Sequence, residues 1–100
     1  MKHLSYKENE LHVDGVKALD ITEEMFSPFY VYSRDAILGR ISAFKEAFVE
    51  LDPVIAYSAR ALSNLNVLKL MNDEGLHIHV SSLGELFKAE AAGIKCNKVI

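Results

Sequence analysis

Arg60 directly follows an apolar run, Val54-Ile55-Ala56-Tyr57-Ser58-Ala59. A guanidinium is permanently charged and offers a rigid fork of donors, which suits it to phosphate and carboxylate. It does not lose its proton near neutral pH, so it cannot serve as an amine nucleophile. Further along, His77 and His79 lie two apart and share one face of a strand, with Ser81 next on that face. Two histidines so spaced can supply two metal ligands. His3 and His12 are remote in sequence and no third ligand has a sensible spacing, so no metal site is expected. Glu85 reads as a first-turn helix carboxylate. Glu90 falls on an apolar helical stripe, Leu83, Leu86, Phe87 and Ile94, where an unpaired carboxylate would be costly to bury. Cys96 is the single cysteine, so no internal disulfide is possible, and it reads as a bystander.

These residues need elements to hold them. Residues 4–7 and 10–14 alternate weakly around Glu8-Asn9, which predicts a hairpin. Asp20, with Glu23 and Glu24 behind it, predicts an N-cap and a short helix near 21–26 that ends at Pro28. Residues 29–33 are aromatic and β-branched and predict a strand. Ser33 caps the next predicted helix, with Asp35 in its first turn and Ile37, Ile41, Phe44 and Phe48 at helical spacing. Asp52-Pro53 stops it.

Residues 54–59 read as a strand buried on both faces. Ser63 or Asn64 caps a helix running through Asn72, with Leu65, Leu68 and Met71 on one side and Val67 and Leu70 beside them. Gly75 is its predicted C-terminal stop. Residues 76–81 form a further predicted strand, Ser82 caps a helix over 83–92, Gly93 ends it, and another strand begins near Lys98. Strand-helix-strand-helix-strand predicts parallel βαβ units. On that topology Arg60 falls at the carboxyl end of its strand, where barrel folds place their chemistry. The aromatics Phe29, Tyr30, Tyr32, Phe44, Phe48, Tyr57 and Phe87 read as core, with no basic patch beside them.

The composition narrows the classes. Half of the 100 residues are hydrophobic and a quarter charged, which describes an ordinary globular chain and argues against disorder. A net charge of −3 gives no reason to expect nucleic acid or an anionic membrane as partner. No apolar run reaches membrane-spanning length, and the N-terminus lacks the apolar core of a signal peptide. A cytoplasmic location is expected.

Several of these segments carry a resemblance. LSYKENELHVDGVK at 4–17, Pro28-Phe29-Tyr30-Val31-Tyr32-Ser33, Tyr57-Ser58-Ala59-Arg60-Ala61-Leu62, Asn64-Leu65-Asn66-Val67-Leu68 and His77-Ile78-His79-Val80-Ser81-Ser82-Leu83-Gly84-Glu85-Leu86 occur in order. Together they resemble the start of the pyridoxal-phosphate decarboxylases with an alanine-racemase-type barrel, most of all the diaminopimelate decarboxylases. Ala91-Ala92-Gly93-Ile94 fits the end of the second helix.

The resemblance implies an α/β fold. It would be the N-terminal part of a pyridoxal-phosphate-binding (β/α)8 barrel, about two βα repeats preceded by a hairpin and a lead-in helix. It implies residues 1–33 as part of a β-domain and 34–100 as the incomplete start of the barrel, since a whole barrel takes about 250 residues. It implies the decarboxylation of meso-diaminopimelate to L-lysine, a small amino-acid substrate, pyridoxal 5'-phosphate as cofactor, and a homodimer. It also implies that Arg60 stands where the family has its Schiff-base lysine and is non-functional there. His79 stands where the family has an aspartate near the cofactor, Ser81 replaces an apolar strand residue, and Glu90 an apolar helix residue. The chain as written is expected to be inactive. The alternative is a catalytically dead homologue or truncated fragment that acts, if at all, as an interaction module. A small binding or structural module without a pyridoxal role is a third reading, supported only by composition. Open strand edges and uncovered apolar surface predict marginal stability and self-association.

Overall fold

A computed structural model describes residues 3–100. The chain divides into two compact units, Met1–Ala47 and Phe48–Ile100.

In the first unit, β1 (Leu4–Lys7) and β2 (Glu10–Val13) pair antiparallel, with Leu4 opposite Val13 and Lys7 opposite Glu10. Glu8 and Asn9 both have positive φ, which is the primed turn whose twist matches two antiparallel strands. Asp14-Gly15 repeats that geometry and leads into β3 (Val16–Lys17), which pairs with β2. The hairpin is therefore a three-stranded sheet in the order β1-β2-β3. Helix α1 spans Ala18–Glu24. Its N-cap position is Lys17, which offers no side-chain acceptor, and Asp20 sits in the first turn, so the expected cap at Asp20 and span of 21–26 are corrected. The strand expected at 29–33 does not form. β-propensity acts through pairing with a neighbouring strand, and among the described residues the strands of this unit pair within the sheet just described.

Helix α2 runs from Arg34 to Ala47. Ser33 caps it as expected: its Oγ accepts from the Ala36 amide at 2.9 Å. The same hydroxyl donates to Asp14 Oδ1 at 2.6 Å, and the Asp35 amide donates to Asp14 Oδ2 at 3.2 Å. The turn between β2 and β3 thus clamps the helix start. Those bonds hold the Asp14 carboxyl below its usual range, the Ser33 hydroxyl contributing most. Of the expected apolar stripe only Ile41 is buried, while Phe44 is exposed.

In the second unit, β4 (Ala56–Ser58) and β5 (His77–His79) pair in parallel, with Tyr57 opposite Ile78 and Ser58 opposite His79. Val99 bridges Ile78 in parallel on the other side of β5, and Ile100 exchanges bonds with Val80 and Ile78. Helix α3 (Leu65–Asp73) crosses between β4 and β5, and α4 (Leu83–Ala91) between β5 and the bridging segment. This is the expected βαβαβ order. The strands are shorter than expected at 54–59 and 76–81, and Val54 is 68% exposed. Among the described residues β4 pairs only with β5 and is an edge strand.

The core of this unit is Ala59, Val67, Leu68, Met71, Leu76, Ile78, Ala89 and Ile94. Asn64 caps α3, its side-chain oxygen accepting from Asn66 N at 2.9 Å and Val67 N at 3.3 Å. Both helices stop on a glycine with positive φ, Gly75 and Gly93. In each case the next residue's amide reaches back five positions, Leu76 to Met71 and Ile94 to Ala89.

Helix α4 corrects the sequence reading. Most of its expected inward stripe is turned out: Leu83, Leu86, Phe87 and Glu90 are exposed, and only Ile94, past the helix end, is buried. The packed face carries Glu85, Ala89 and Ala92, one turn apart, with Ala89 fully buried. Small side chains let the helix come close to its neighbours, and the carboxylate of Glu90 then needs no partner because water reaches it. The aromatics read as core are likewise mostly at the surface, Tyr30, Tyr32, Phe44, Phe48 and Phe87 among them.

Candidate active site at the strand ends

Parallel βα units gather their functional groups beyond the carboxyl ends of the strands. In the second unit that end carries Ala59-Arg60-Ala61 after β4 and Val80-Ser81-Ser82 after β5. Arg60 is exposed in a tight turn. The turn is held by the Ala59 amide on the His79 carbonyl at 2.9 Å and the Ala61 amide on the Ser58 carbonyl at 3.1 Å. Tyr57 Oη donates to the Leu62 carbonyl at 3.0 Å, and Lys88 Nζ donates to Ser63 Oγ at 2.8 Å. None of these bonds uses the Arg60 side chain.

His79 is exposed and lies in register with Ser58, so the structure brings Arg60 and His79 to the same end of the parallel pair. His77 is half-buried at the opposite end of β5, and Ser81 lies beyond that strand. Among the described residues no three His, Cys, Asp or Glu side chains gather to hold a metal ion. Cys96 is exposed, with a free thiol.

The group that sequence reasoning undervalued is Glu85. Its Oε2 accepts from the Ser81 amide at 2.6 Å and from Ser81 Oγ at 3.0 Å, while Ser82 Oγ accepts from the Glu85 amide at 3.2 Å. Ser82 is thus the N-cap of α4, and the Glu85 carboxylate reaches back one residue further than the capping box that Ser82-Leu83-Gly84-Glu85 spells, to Ser81. The Ser81 amide is the main reason the Glu85 carboxyl sits below its usual range; the Ser81 hydroxyl and the positive charge of Arg60 add to it. The strand end therefore carries a fixed anion, an exposed cation and an exposed imidazole.

Comparison with known proteins gives this geometry a family. Residues 34–100 match the family described as "Pyridoxal-dependent decarboxylase, pyridoxal binding domain". The chain belongs to that family, whose cofactor is pyridoxal phosphate. It is 37% identical over 91 residues to the diaminopimelate decarboxylase of Bacillus subtilis, covering 89% of this chain and 21% of that protein. It is 33% identical over 98 residues to that of Aquifex aeolicus, covering 98% of this chain and 23% of the relative. A crystal structure of diaminopimelate decarboxylase from M. jannaschii superposes with a TM-score of 0.88 at 26% identity, over 98% of this chain and 24% of that one. The chain thus spans about a quarter of the length of the relatives it matches. The expected α/β fold, the N-terminal part of a pyridoxal-binding barrel, agrees with these matches.

The residues at the strand ends do not fit covalent attachment of that cofactor. An aldehyde condenses with an amine, and the lysine that reaches the turn after β4, Lys88, has its amine on Ser63 Oγ. Lys69 pairs with Asp73 on α3 at 2.8 Å, and Lys95 and Lys98 precede the bridging segment. The cation at the strand end is a guanidinium, which stays protonated.

Proposed function

We propose that this chain serves as the N-terminal part of a diaminopimelate-decarboxylase-like protein and carries no decarboxylase activity as written. Residues 34–100 would form the first strand–helix repeats of a (β/α)8 barrel, and residues 1–33 would belong to a β-rich domain. The reaction of the whole would be removal of a carboxyl group from meso-diaminopimelate to give L-lysine, in a cytoplasmic homodimer with a small amino-acid substrate. The observation that carries this reading is the superposition of the chain on a structure of such an enzyme over 98% of its length.

Arg60 favours a second reading within the same family. In it the protein is a catalytically dead homologue that keeps the fold without the chemistry. The roles of Arg60 and His79 belong to this proposal. Arg60 would occupy the position of the cofactor lysine. His79 would face the cofactor without the fixed negative charge that a carboxylate offers.

A graft tests the proposal. The matching N-terminal segment of the Bacillus subtilis enzyme is replaced by this chain, and folding and release of carbon dioxide from meso-diaminopimelate are measured. A folded chimera without activity is expected. A chimera that does not fold would remove the claim that the chain is the equivalent part of such a barrel. An active one would remove the claim that Arg60 silences it.

A further inference from the structure

We propose that Asp14-Gly15 is a covalent modification site, at which Asp14 converts slowly to isoaspartate once its clamp to α2 opens. The chain has five aspartates, and Asp14 alone precedes a glycine. The reaction begins when the amide nitrogen of the following residue attacks the aspartate side chain. A side chain on that residue crowds the attack, and glycine has none. Gly15 is exposed, and a Cβ added there would meet nothing within 4 Å, so water reaches the turn. The Gly15 amide is tied to no acceptor among the described residues.

The chemistry needs only water. The Gly15 nitrogen bonds to Asp14 Cγ, the carboxyl hydroxyl leaves with the amide proton as water, and a five-membered imide ring closes. Water then adds back and opens the ring. Breaking the bond between that nitrogen and the Asp14 main-chain carbonyl carbon leaves the chain running through Cβ and Cγ, with a free carboxylate on Cα. Nothing is oxidised or reduced, and the product has the mass of the starting chain.

The fold holds the first step back. Asp14 Oδ1 accepts from Ser33 Oγ at 2.6 Å and Oδ2 from the Asp35 amide at 3.2 Å, so both oxygens are engaged at the start of α2. The Asp14 amide donates to the His3 carbonyl at 2.9 Å. Asp14 is thereby held at a φ of 48°, with Gly15 at 81°, in the left-handed pair that a two-residue hairpin turn requires. The same bonds keep the carboxyl ionised, Ser33 contributing most, and a carboxylate loses oxygen far less readily than a carboxylic acid. Conversion therefore proceeds from the opened clamp. It also removes the clamp: the carboxylate moves to Cα, and the turn that joins Val13 to Val16 gains a main-chain atom.

The 100-residue chain is aged in warm neutral buffer, native and unfolded in urea, beside Ser33→Asp and Ser33→Thr. Ser33→Asp keeps an acceptor for the Ala36 amide, but it has no proton to give Asp14 and sets a like charge against it. Ser33→Thr keeps both functions. Isoaspartate is followed in the tryptic peptide 8–17, cut after Lys7 and Lys17, by its shifted retention and its uptake of heavy oxygen from labelled water.

Ser33→Asp should convert at least about threefold faster than the parent, the effect of one lost hydrogen bond on the population of the open clamp. Ser33→Thr should match the parent, and the urea-unfolded parent should be fastest. Equal rates in the parent and Ser33→Asp would overturn the proposal, because the clamp would then not govern the site. So would the absence of isoaspartate at Asp14 from the unfolded chain. If circular dichroism shows Ser33→Asp to be unfolded, the native and unfolded parent are compared alone, and equal rates there overturn it as well.

Discussion

Leu68 and Leu83 have the same side chain on neighbouring helices and opposite surroundings, which makes truncation of each to alanine a sharp test of the second unit. Leu68 is fully buried on α3, and Leu83 at the start of α4 is 65% exposed. Leu68→Ala removes three carbon groups from a fully covered site. At about 0.8 kcal/mol each, the transfer loss is about 2.4 kcal/mol. A cavity that does not collapse raises the total toward about 5 kcal/mol. Leu83→Ala puts only about a third of that transfer at stake, roughly 0.8 kcal/mol. The better helix propensity of alanine offsets part of it, leaving a change within about 0.5 kcal/mol of zero.

The assay is urea unfolding followed by circular dichroism. With a slope of about 1 kcal/mol/M for a unit of this size, Leu68→Ala should lower the midpoint by more than about 2 M while Leu83→Ala barely moves it. A unit this small has a narrow stability margin. Ile78→Val, at a fully buried strand position, therefore supplies a graded step of about 0.5–1.5 kcal/mol should Leu68→Ala unfold outright. A Leu83→Ala loss as large as that of Leu68→Ala would refute the reasoning. It would mean that the outward stripe of α4 is covered in solution, and a dependence of the midpoint on protein concentration would identify a second copy as the cover.

Two further outcomes follow from the caps. Asn64→Ala removes the acceptor for two α3 amides and should cost about 0.5–2 kcal/mol in the same urea assay; Asn64→Ser, which keeps an acceptor, should recover most of it. Asp14 is held below its usual range by Ser33 and the Asp35 amide, so its contribution is complete above the ordinary carboxylate pKa and is lost as pH falls through the lowered value. Acid unfolding of the first unit should accordingly be shallower in Asp14→Asn, and an unchanged acid limb would show that the clamp on α2 contributes nothing.

The parts of the fold that were legible in the sequence were those set by local chemistry. Ser33, Ser82, Gly75 and Gly93 marked helix ends because a cap acceptor or a positive φ is needed there. The βαβαβ order followed from the spacing of such signals. What failed depends on partners that a linear pattern does not reveal. Residues 29–33 have the composition of a strand and, among the described residues, no ladder pairing. The stripe on α4 has helical spacing, but spacing alone does not say which of two faces turns inward, and the small-residue face through Ala89 was taken.

At the candidate site, the strand order put Arg60 just past the end of β4 as expected, whereas His79, read as lying inside a strand over 76–81, is the last residue of a shorter β5. The Glu85–Ser81 bonds were not foreseen, although Ser82-Leu83-Gly84-Glu85 carried their signal. The Asp14–Ser33 clamp joins residues distant in sequence and left no trace in any local pattern.

The paired stop signals in the second unit have a consequence for how such a chain changes over time. Asn64 and Ser82 open the two helices, Gly75 and Gly93 close them, and each closing turn returns the chain at the same offset. Each helix is thus a bounded cassette whose length is set at its borders. Drift on the outer surface of a cassette cannot be passed on as a shift in the strand that follows. The end of β4 is insulated from such drift.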